Sequence, residues 1–264
     1  MVAAFLVCFA TFLLQAIVQV LFLFPYAFRR GLVPGTPDFA KGIAEMALND
    51  PTAILLQVLS LLPAHLLTLA LVWALVTRFG KLPFFATIGW GWPRRLGFWR
   101  SVIFGVVLFV VATAVTKLLG SDKATPLEQI INSSTAARYA LAFLAVFTAP
   151  FVEEFIFRGV LYAALQRLVG AVGAGLFVLV LFTLIHVPQY RTNTGVIAAV
   201  LLLSTSLTVV RAVTGRLLPC VVIHLVFNGI SAIILLVEPH FSNSAPVPTP
   251  TGALLLLLTY LGLN

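Results

Sequence analysis

From its second residue the chain is written in long apolar runs separated by short polar connectors. The runs cover about residues 2–24, 52–77, 98–119, 136–167, 169–187, 195–213 and 217–237, and a shorter apolar tail covers 252–262. An α-helix needs roughly 20 apolar residues to cross a bilayer. The pattern therefore predicts an all-α protein: a polytopic transmembrane helical bundle with seven or eight spans. The eighth rests on the tail, which is brief for a crossing. No internal repeat and no soluble segment interrupts the pattern, so residues 1–264 read as a single integral membrane domain.

The connectors differ in kind. Residues 29–50 are polar and rich in Gly, Pro and Asp. Residues 78–100 carry Arg78, Lys81, Arg94, Arg95 and Arg100 beside Trp90, Trp92 and Trp99, with no acid. Tryptophans next to arginines mark a membrane–water interface, and a basic connector of this kind belongs on the cytosolic side, which places the N-terminus there as well. Residues 120–135 have room for a short interfacial helix. Within the fifth run, Gly170, Gly173 and Gly175 are small residues that let helix backbones approach.

Composition agrees with the pattern. The chain is 61% hydrophobic and 9% charged, against about 25% charged in a soluble domain. The formal charge of +8 comes from residues that mostly flank the runs, as topology signals and headgroup contacts do; nucleic acid is not the expected partner. Cys8 and Cys220 lie inside apolar runs and read as small buried hydrophobes. The first run lacks a basic leader and is too long for a signal-peptide core, so it is expected to remain as a span. If the source is bacterial, the expected location is the plasma (inner) membrane.

Against this background a few polar residues stand out. Of the eight acidic residues only Glu153 and Glu154 sit deep in an apolar run. Ionisable groups there are costly and suggest function. Glu154 and Arg158 are four apart and share a helix face, with the acid preceding the base, so they are expected to pair. Glu153 then points about 100° away, without a partner in its own helix. Pro150, one turn earlier, removes a backbone donor and can bend the helix there. The plain alternative is an ion-pair knot between helices, which has no need of the second carboxylate.

Two later runs add Phe182 with His186 and His224 with Asn228, each pair four apart on one face. A carboxylate and an imidazole can hold and deprotonate a water, and a His and an Asn can donate to the oxyanion formed when it attacks an amide. Other polar residues have plainer readings. Gln15 and Gln19 are expected to hydrogen-bond to neighbouring helices. His65, two residues after Pro63, reads either as a relay residue or as an imidazole satisfied by a carbonyl that the proline exposes.

The ordered series Glu-Glu-x-x-x-Arg, Phe-x-x-x-His and His-x-x-x-Asn, one motif per run, resembles the CPBP family of intramembrane proteases: the Rce1-type CAAX prenyl proteases and the related bacteriocin-processing and abortive-infection (Abi) proteins, some named metalloproteases. The likeness covers a catalytic core of about residues 136–234. It implies an intramembrane endopeptidase in which Glu153 and His186 activate water and His224 and Asn228 form the oxyanion hole. Glu154 and Arg158 support the site and Phe182 shapes its wall. The implied partners are the lipid bilayer and a peptide or membrane-protein substrate, lipidated in the family's eukaryotic precedent. No cofactor is favoured. The segment before the third motif, Gly-rich in the family, here carries Ser204 and Ser206.

Three alternatives remain. The same protease could use zinc held by Glu153, His186 and His224, although the helical His-Glu-x-x-His motif is absent. Buried Glu and His also build transporters and proton relays, which would show inverted repeats. Finally, the motif residues could be only helix–helix glue.

Overall fold

The computed structural model describes residues 2–241, and among these it is helical without strands. The elements are α1 (Val2–Arg29), α2 (Phe39–Asn49), α3 (Pro51–Thr77), α4 (Phe84–Thr87), α5 (Phe98–Leu119), α6 (Pro126–Ser133), α7 (Thr135–Phe147), α8 (Ala149–Glu154), a π-helical turn (Phe155–Leu161), α9 (Tyr162–Tyr190), α10 (Thr194–Thr214) and α11 (Leu218–Phe241).

Six described helices are long and apolar enough to cross a membrane, and the chain is an integral membrane protein. These six do not confirm the expected count of seven or eight spans. The fourth and fifth expected spans fall together in a 56-residue run, Thr135–Tyr190. The expected eighth, residues 252–262, lies outside the described residues. The long run is divided at Gly170, whose φ of 74° and ψ of 175° leave the helical region. Gly170 is thus a break and not a packing contact, since nothing lies within 4 Å of where its Cβ would be. Glycine alone takes such a φ without a steric cost. Gly175 keeps the expected packing role: a Cβ there would sit 3.4 Å from the Thr208 methyl.

Because lipid and protein interior are both apolar, the spans are greasy all round and their inward faces are chosen by size. Helix α5 buries Ser101, Gly105, Ala112, Thr113 and Thr116 together with Leu108 and Phe109, and α3 buries Ser60, Ala64 and Thr68 together with Ile54, Val58 and Val72. Large side chains such as Phe9, Leu21 and Val213 point outward, at 66%, 65% and 80% exposure. Close approach is tightest where α10 begins. A Cβ on Gly195 would lie 2.6 Å from the Gly120 nitrogen and 2.7 Å from the Thr116 carbonyl oxygen.

The polar connectors are more ordered than their composition suggests. Residues 39–49 form the helix α2, and α6 is the expected short helix, closed by a Thr125–Glu128 capping box. In the basic connector Trp99 is 73% exposed, as an interfacial anchor should be. Trp90 instead packs edge-on against Phe155, at 5.8 Å between centroids, as does Phe84 at 5.5 Å. The Leu217 N–H donates to Gly89 O at 3.0 Å, tying this connector to the start of α11. Gln19 reaches Gln57 of the neighbouring helix at 2.8 Å, as expected.

Asp50 caps α3 by accepting from the N–H groups of Thr52 (2.8 Å) and Ala53 (3.1 Å), and it also accepts from the Tyr26 hydroxyl (2.9 Å). Burial alone would raise its pKa; the Ala53, Tyr26 and Thr52 hydrogen bonds and the Arg30 charge together hold it below the ordinary value. The native state therefore binds fewer protons here than the unfolded chain, so this stabilisation is complete above about pH 4 and is lost as pH falls through the depressed value. The thermal midpoint of the wild type should drop below pH 4 more steeply than that of Asp50→Asn, which keeps a capping oxygen but does not titrate. Parallel curves would refute this.

Candidate active site

The site begins where Pro150 interrupts the long run. Proline has no N–H and its ring clashes with the carbonyl four residues back, so a helix cannot pass through unbroken. Helix α7 ends at Phe147, Thr148 turns to φ −123° and ψ −45°, and α8 restarts with Pro150 in its first turn. Glu153 and Glu154 are the last two residues of α8. The chain then widens into the π-helical turn, in which every residue from Phe155 to Leu161 is buried. Such turns are rare and concentrate at functional sites.

Glu154 and Arg158 pair as their spacing predicts. Arg158 Nη1 donates to Glu154 Oε1 at 3.1 Å, and both side chains have no exposure at all. The other fork of the guanidinium donates to the Ser204 carbonyl oxygen (3.1 Å), Ser204 Oγ (2.9 Å) and Thr208 Oγ1 (3.4 Å) of α10. Its face lies 4.5 Å above the Phe182 ring, a cation–π contact that desolvation strengthens. Ser204 and Thr208 were missed as site residues in the sequence, although their i,i+4 spacing puts them on one face.

His224 joins the two glutamates. Its Nδ1 lies 2.9 Å from Glu154 Oε1 and its Nε2 lies 3.7 Å from Glu153 Oε2. Glu154 is bonded to a cation that does not titrate, so its oxygen accepts and the shared proton belongs on His224 Nδ1. His186 is fixed in the same way. Its Nδ1 is 2.6 Å from the Phe182 carbonyl oxygen, which can only accept, so Nδ1 carries the proton. The Phe182 ring neighbours both imidazoles, its centroid 4.5 Å from that of His186 and 6.2 Å from that of His224. Asn228 uses one amide N–H on the Ala145 carbonyl at 2.8 Å.

Glu153, His186, His224 and Asn228 all line a cavity of about 670 Å³ inside the bundle. Phe182 contributes to its wall, whereas Glu154 and Arg158 stand behind it. The Glu153 side chain is 24% exposed. His65 of α3 also lines this space. Its partner is the Thr148 hydroxyl, at 2.7 Å from Nδ1; the expected carbonyl near Pro63 is replaced by a side chain from the helix break. Cys8 and Cys220 are buried free thiols.

As for a metal, no group of three or more described His, Cys, Asp or Glu is placed to hold one. Glu153, His186 and His224 share the cavity without forming a ligand set.

Residues 135–230 match the family model described as type II CAAX prenyl endopeptidase, Rce1-like. That stretch runs from α7 into α11 and contains Glu153, Glu154, Arg158, Phe182, His186, His224 and Asn228. Comparison with curated proteins and with solved structures returned no match.

Proposed function

We propose that this chain, through the Rce1-like domain it carries at residues 135–230, is an intramembrane endopeptidase that hydrolyses a peptide bond with water. The observation that carries the reading is Glu153 facing His224 Nε2 across 3.7 Å on the wall of a cavity that also holds His186 and Asn228. Catalysis is assigned to about residues 136–234 of a single membrane domain.

Glu153 is the general base. His186, protonated on Nδ1, offers Nε2 as an acceptor to the second hydrogen of the same water. As Glu153 takes one proton, the hydroxide attacks the scissile carbonyl carbon and its oxygen becomes an oxyanion. Asn228 has one N–H left after bonding Ala145 and donates it there. His224, held from behind by Glu154, donates Nε2–H to the same oxygen. With His224 doubly protonated, Glu153, Glu154, Arg158 and His224 sum to no net charge, the condition under which charges are tolerated in a dry interior. Glu153 then passes its proton to the departing amine nitrogen, and the C–N bond breaks. Donors placed ahead of time for a developing oxyanion contribute about 10²–10³-fold each.

The substrate is a peptide or membrane-protein segment that reaches the cavity from the bilayer. Comparing cellular membrane-peptide termini between wild type and Glu153→Ala tests the reading: cleavages present in the first should vanish in the second. Identical termini in both would sink it. Purified protein should continue to cleave in a metal chelator, and activity lost to the chelator and restored by zinc would move the assignment to the zinc form.

A further inference from the structure

The three histidines with described side chains share one design. His186 and His224 are each anchored through Nδ1, to Phe182 O and to Glu154, and each lines the cavity. His65 repeats this from the other half of the chain, on α3 and outside the matched residues 135–230. Its Nδ1 lies 2.7 Å from Thr148 Oγ1. With that hydroxyl donating to Leu144 O at 3.1 Å, it accepts from His65, and in this arrangement Nδ1 carries the proton. Thr148 is not part of the cavity wall, while the His65 ring is. The uncommitted polar atom is then Nε2, an acceptor on a residue that lines the cavity.

We propose that His65 is a substrate-binding residue of the same site, its Nε2 accepting a hydrogen bond from a backbone N–H of the peptide next to the bond being cut. This rests on the endopeptidase reading above. A peptide drawn into an apolar cavity brings N–H groups that have left water, and each needs an acceptor. Glu153 and His186 are occupied with the nucleophilic water, and Asn228 and His224 serve as donors. His65 supplies the acceptor that the carboxyl half leaves out, and α3 thereby completes the site.

The test uses full-length protein and a fluorogenic peptide built on a cleavage site found by the wild-type against Glu153→Ala comparison. In His65→Asn the amide nitrogen takes the place of Nδ1 and keeps the Thr148 bond, while Nε2 is lost. KM should rise about tenfold with kcat within about threefold of wild type, the loss of one hydrogen bond made in ground and transition states alike. The thermal midpoint should not move. In His65→Gln the amide oxygen reaches the Nε2 position, and KM should return towards wild type even though the Thr148 anchor is gone. A purely structural His65 gives the reverse order, with His65→Asn normal in KM and His65→Gln impaired and less stable; that result overturns the proposal. If Glu153→Gln cleaves the peptide at the wild-type rate, the assignment of cleavage to this site has failed, a result separate from any value of KM for the His65 variants.

Discussion

Glu153→Gln lowers kcat about 10³-fold or more, the loss expected when a positioned general base is removed, while the protein stays folded. Glutamine keeps the size and polarity of glutamate and removes only the basic charge. Glu153 is 24% exposed on the cavity wall and stands 3.7 Å from His224 Nε2, beyond direct hydrogen-bond range. If the motif residues were only glue between helices, the same substitution would shift unfolding and leave any turnover untouched. Turnover and thermal midpoint measured on one preparation decide between the two, and a variant with wild-type kcat would remove Glu153 from the mechanism.

Arg158→Met has the largest expected effect on stability, about 3–5 kcal/mol, because it leaves the buried Glu154 carboxylate with His224 in place of a permanent cation and removes the bonds to α10. Glu154 and Arg158 have no exposure, and Arg158 alone bridges Glu154 to Ser204 and Thr208. In methionine the chain length survives but all four donated bonds disappear. At roughly 2–4 °C per kcal/mol for a chain of this order, the apparent midpoint should fall by roughly 10 °C. Adding Glu154→Gln should recover part of this, since removing both charges costs less than removing one. Activity should not return with it, because His224 Nδ1 would no longer face an anion. A single variant that melts with the wild type would show that the pair stabilises nothing.

The same pair shows how much of the site is legible in the chain. Glu154 and Arg158 meet as their four-residue spacing requires, and Glu153 finds its partner on another helix because its own offers none. Such relations are local, set by helical geometry alone. The widening of the helix after Glu154 is not local in that sense, and neither is the clamp of Ser204 and Thr208 on the guanidinium, some 46 and 50 residues away in sequence. His65 is the sharpest case. A histidine in an apolar run has the same appearance whether a carbonyl satisfies it or another helix holds it, and its partner Thr148 lies 83 residues away, at the break before Pro150. The break between the runs ending at 167 and beginning at 169 was legible, but not that Gly170 makes it, since small size serves packing and left-handed backbone equally well.

The sequence by itself determined that the chain crosses a membrane as helices, because uninterrupted apolar length leaves no other way to satisfy the backbone in lipid. It also determined which polar residues are too costly to be incidental. Tertiary structure alone decided which face of each span turns inward, since hydrophobicity has no direction when both surroundings are oily. That choice brings Glu153, His186, His224 and Asn228 from three distant segments to one cavity and adds a fourth segment, through His65, that no motif announced.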